Sequence, residues 1–84
     1  MYAVYLERGV QKELDQLPHD RFDQITSKIK SLSENPRPIG CRKITDSKSD
    51  WRIRIGDYRV VYEIDDRAKI VRVMRVRHRR EVYR

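Results

Sequence analysis

Two stretches hold most of the side chains able to do chemistry, WRIRIGDYR at 51–59 and VRHRREVYR at 76–84. In the first, Arg52 and Arg54 alternate with apolar residues, and Arg59 follows across a Gly56-Asp57 turn. In the second, Arg77, His78, Arg79, Arg80 and Tyr83 crowd into a short tail. A strand face that needs only solubility can use Lys, Glu, Ser or Thr. A guanidinium adds something specific, a flat fork of donors that matches phosphate oxygens in pairs. The set therefore asks for a planar, negatively charged ligand. The plainer alternative is a solvated strand face, and the shared alternation of these arginines argues against it.

The charge balance points the same way. The 84 residues carry a formal +7, but residues 1–50 hold nine basic against eight acidic side chains. Residues 51–84 hold eleven against five, and all of those eleven except Lys69 are arginine. An excess so localised suggests nucleic acid or another polyanion as partner. Cys41 is the sole cysteine, which rules out an intramolecular disulfide or a multi-cysteine metal site. No cluster of metal ligands is evident, and no metal or cofactor is expected. There is no apolar run of about 18 residues and no signal-peptide pattern, so the chain reads as soluble and cytoplasmic, with no membrane association.

These side chains need a scaffold, and the hydrophobic periods outline it. YAVYL at 2–6 reads as a first strand. Val10, Leu14 and Leu17 form one helical stripe that Pro18 stops. Phe22, Ile25, Ile29 and Leu32 form a second, with Asp20 as its cap and Asn35-Pro36 as its end. Residues 33–49 show neither period and read as a long loop carrying Arg42 and Lys43, with Ile39 and Ile44 pinning it to the body.

From Trp51 the period becomes two. Trp51, Ile53 and Ile55 face one way, and after the turn Tyr58, Val60, Tyr62 and Ile64 join them. The last strand, KIVRVMRVR, separates its faces less clearly, as a strand covered on both sides would. The expected fold is α+β in the order β-α-α-β-β-β, one domain over 1–84, with a helix hairpin on one face of a mainly antiparallel sheet. Arg52, Arg54 and Arg59 should share the uncovered face.

That order, with W-R-I-R-I-G-D-Y-R-V-V-Y-E-I at 51–64 and V-R-H-R-R-E-V-Y-R at 76–84, resembles the RelE/ParE superfamily of bacterial toxins from toxin–antitoxin pairs. The likeness spans essentially the whole chain. RelE-like members cut messenger RNA in the ribosomal decoding site, whereas ParE-like members inhibit DNA gyrase. The RelE branch implies that Lys43 is a loop contact and that Arg52 and Arg54 stand where the best-known member has lysines. It also implies catalytic places for Arg59, Arg77 and Tyr83, and His78 resembles a histidine of other RelE-like sequences. Thr45 departs from the pattern, standing where another basic residue is expected, and Arg84 follows Tyr83 with no further helix.

The chemistry implied is attack of an RNA 2′-OH on the adjacent phosphate, without metal. Arg59 and Arg77 suit stabilisation of the charge gathering on the phosphoryl oxygens. Arginine is no ordinary base, and Arg52 and Arg54 remove the lysines that could serve. Of the side-chain types present, imidazole titrates nearest neutrality, so His78 is the expected proton carrier, with Tyr83 orienting, stacking or assisting. Arg42, Lys43, Arg79 and Arg80 are expected to hold RNA. The expected partners are an antitoxin protein encoded next door, the ribosome and mRNA. The rivals are a ParE-like gyrase inhibitor without nuclease chemistry and a non-catalytic nucleic-acid-binding module.

Overall fold

The computed structural model describes residues 1–78. Strand β1 (Ala3–Leu6) leads into helix α1 (Val10–Asp15), where Val10 and Leu14, one turn apart, are buried. Gly9 opens α1 at φ 91°, a left-handed conformation that a side chain would disfavour. Helix α2 (His19–Ser31) buries Ile25 and Ile29, and Leu32 just past its end is also buried. Pro18, not Asp20, stands at the cap position of α2, its fixed φ of −54° being compatible with entry into the helix. Asp20 lies in the first turn instead, where a carboxylate suits the positive end of the helix.

Strands β2 (Cys41–Lys43), β3 (Asp50–Ile55), β4 (Tyr58–Asp65) and β5 (Ile70–His78) follow. They form one sheet with β1 in the order β1-β5-β4-β3-β2. The β1–β5 pair is parallel and the other three are antiparallel. The core is one layer of side chains: Ile53, Ile55, Val60, Tyr62, Ile64, Val71, Val73 and Val76 from the sheet meet Val10, Leu14, Ile25, Ile29 and Leu32. Tyr62 is fully buried, and its hydroxyl donates to the Pro36 carbonyl at 2.8 Å. Burial, and next Cys41, push that phenol well above its ordinary range, so it remains a neutral donor.

The structure departs from the periodic reading in two segments. The 33–49 stretch contains β2, whose three residues are too few to display a period of two. It pairs Arg42 with Arg52 and Lys43 with Trp51. Within the same stretch Ile44 is half-buried, but Ile39 pins nothing and is fully exposed. The mixed faces of β5 also have a different cause from coverage on both sides. Val61 opposes Arg75 while Tyr62 opposes Val73, leaving Met74 as the extra residue of a β-bulge. Val71, Val73 and Val76 thereby reach the same covered face despite their uneven spacing.

Candidate nucleic-acid interface

Directly paired residues of a sheet project to the same side, with Cβ atoms about 5 Å apart. Two transverse rows follow. Arg42 of β2 opposes Arg52 of β3, and Arg54 of β3 opposes Arg59 of β4, which opposes Arg77 of β5. All five alternate away from the residues that the helices cover. Arg42, Arg52, Arg54 and Arg59, with Gly40 and Gly56, line one open cavity of about 550 Å³. Arg54 is steadied by donation from Nε to the Gly56 carbonyl at 3.1 Å.

Among the described residues no ion pair involves Arg42, Arg52 or Arg54, whereas Arg72 bridges Glu7 at 3.0 Å and Glu63 at 2.9 Å, and Arg37 holds Asp66 at 2.7 Å. Four guanidinium groups around a concave surface can grip successive phosphates, and they can stabilise negative charge building on one of them. Lys43, expected to share this surface, is exposed but pairs with the core-packed Trp51, so it projects to the other side of β2 from Arg42 and does not line the cavity.

Arg77 shares the register of the second row, but its guanidinium does not stay there. At the free edge of β5 it ion-pairs with Glu13 of α1 and donates to the Val76 carbonyl at 3.2 Å. Glu13 also accepts the Val76 amide at 3.0 Å, taking over the edge where β1 ends. His78, one residue on, falls on the helix side. It opposes Tyr58, and the two rings meet edge to face at 5.2 Å. Glu13, Gln16, Leu17, Tyr58, Val76, Arg77 and His78 enclose a separate pocket of about 230 Å³. The structure thus gathers Arg42, Arg52, Arg54 and Arg59, and sets the Arg77 guanidinium and His78 apart from them. Arg79, Arg80 and Tyr83 lie outside the described residues.

Sequence reasoning overlooked Glu13, which sits 63 positions before the amide it caps. No local spacing signals such a contact. It also passed over Gly40, whose φ of 94° is needed where the chain turns into β2.

The proteins to which this chain is similar are described as toxins. A family model described as the ParE toxin of the type II toxin–antitoxin system parDE matches residues 4–83. The protein named RelE1 of Methanocaldococcus jannaschii is 32% identical over 76 residues, covering 84% of each chain. Toxin RelG of Mycobacterium tuberculosis is 29% identical over 84 residues, 99% of this chain and 97% of that one. The crystal structure of the archaeal RelE–RelB complex from Pyrococcus horikoshii OT3 contains a chain that superposes with a TM-score of 0.83 at 25% identity, over 93% of this chain and 94% of that chain. This chain is accordingly a member of the RelE/ParE superfamily, toxins of type II toxin–antitoxin systems.

Proposed function

We propose that this toxin is an endoribonuclease that cuts messenger RNA on the ribosome and so halts translation. The observation that carries the reading is the convergence of Arg42, Arg52, Arg54 and Arg59, from three strands, on the sheet face that the helices leave open. Arg42 and Arg52 hold the RNA backbone. Arg54 and Arg59 stabilise the phosphorane-like charge as the 2′-OH attacks, the bond to the 5′-oxygen breaks and a 2′,3′-cyclic phosphate remains. A preorganised charged donor of this kind is worth about 10²- to 10³-fold in rate.

Proton transfer from the 2′-OH and to the leaving oxygen is assigned to His78, which shares a pocket with Arg77, and to Tyr83. His78 reaches the cavity only if the end of β5 turns it away from Tyr58. A His78→Gln protein with unchanged cutting rate and pH profile would remove it from the reaction. Orientation of the RNA by the ribosome completes the site, which places the protein in the cytoplasm and predicts weak cutting of naked RNA.

The RelE-like chain from P. horikoshii was solved with RelB, which supports a cognate antitoxin for this chain as well. Val4, Leu6, Leu14, Phe22 and Ile29 line a groove of about 520 Å³ between β1 and the helices. An amphipathic antitoxin segment fits there, and complementary charge would speed its arrival. The ParE name of the matching family model favours a second reading, inhibition of DNA gyrase without cleavage. Mapping transcript 5′ ends in a translating extract separates the two. Cuts within codons on ribosomes support the nuclease; intact transcripts with arrested supercoiling support the gyrase inhibitor.

A further inference from the structure

Ile39 is a fully exposed aliphatic side chain on a turn that is fixed from both sides. The Cys41 amide donates to the Pro38 carbonyl at 3.0 Å, closing a tight turn with Ile39 and the positive-φ Gly40 at its corners. Upstream, the Pro36 carbonyl is held by the buried Tyr62 hydroxyl. Arg37 makes a two-pronged bond to Asp66, at 3.1 and 2.7 Å, and its guanidinium carbon lies 4.9 Å from the centre of the Trp51 ring. Downstream, Cys41 enters β2. Little freedom remains for the turn to fold Ile39 back onto the core.

Its surroundings say what it is presented to. The adjoining Gly40 and nearby Arg42 line the arginine cavity, so Ile39 stands at the rim of a phosphate-binding surface. The other large apolar side chains exposed among the described residues, Met1, Tyr5 and Leu6, belong to β1 or the residues before it. That strand is the opposite edge of the sheet. A single apolar side chain next to an arginine-lined cavity offers little area for protein docking. It suits a nucleic acid, whose backbone takes the charges while an unstacked base offers its apolar face. Apolar side chains, isoleucine included, are used elsewhere as wedges between bases.

We infer that Ile39 contacts a base of the RNA lying across the arginine face and helps to determine where the toxin cuts. The inference rests on the nuclease reading and adds a sequence-selecting residue to it. The test compares wild type, Ile39→Ser and Ile39→Phe by transcript 5′-end mapping in a translating extract, with melting curves as a check on folding. Both variants should melt within about 2 °C of wild type, since the replaced side chain touches solvent. The ratio of cutting at the most to the least favoured codons should change at least about fivefold, in opposite senses for Ser and Phe if contact area governs selection. Wild-type cut-site distributions in both variants would overturn the inference while leaving the nuclease reading intact. Unchanged distributions with lost antitoxin co-elution would reassign the turn to protein contact. Intact transcripts with wild type would sink the nuclease reading, and the inference with it.

Discussion

Arg42 faces Arg52, and Arg54 faces Arg59, across adjacent strands; like charges so placed cost a sheet about 0.2–1 kcal/mol per pair. A sequence shaped only by stability would relieve that repulsion, and a bound polyanion relieves it without substitution. Arg52→Gln should therefore raise the melting temperature by about 1–5 °C in low salt. Added salt should shrink the gain, and the same variant should bind RNA more weakly. A thermal melt showing that Arg52→Gln destabilises the protein would mean that its side chain serves packing instead. Arg52, Arg54 and Arg59 were legible in the sequence because a period of two assigns faces without any knowledge of partners. The fates of Arg77 and His78 were not, because a long side chain at a free strand edge can wrap around it. The contact that captures Arg77 comes from Glu13, on a different element.

At the level of elements, the long connection between α2 and β3 separates what periodicity can read from what it cannot. Its strand is three residues long, and its Ile39 is apolar without being core. What holds the connection is polar and distant in sequence. The Arg37 fork, then the Tyr2 hydroxyl at 2.6 Å, hold the Asp66 carboxyl down at about 2. A carboxylate whose folded pKa is depressed contributes stability above its unfolded value, about 3.9, and loses it as pH falls through the folded one. Asp66→Asn should then melt slightly below wild type at pH 7, with the gap closing between about pH 4 and pH 2. Melting curves across that range would contradict the clamp if the gap stayed constant or widened on acidification. The bulge at Met74 belongs to the same lesson. One inserted residue keeps Val76 on the covered face, and nothing in the string of letters marks the insertion.

Taken whole, the molecule has two unlike faces. The helices bury one side of the sheet and leave an apolar groove along β1. On the other side Arg72 is matched by Glu7 and Glu63, while among the described residues no ion pair involves Arg42, Arg52 or Arg54. Uncompensated charge in a concavity focuses the local field and draws an anionic ligand to that spot. The order of elements and the open basic face were both readable from hydrophobic period and charge asymmetry, because each is a property of many residues at once. The central claim is that these arginines form a site rather than a diffuse coating. Arg75 provides the control: it is exposed and paired with Val61, carries the same charge, and is absent from the cavity lining. The deciding measurement is the rate of transcript cutting on ribosomes by Arg59→Ala and by Arg75→Ala. A fall of about 100-fold or more for Arg59→Ala with less than about threefold for Arg75→Ala is predicted; equal losses in the two would contradict the account.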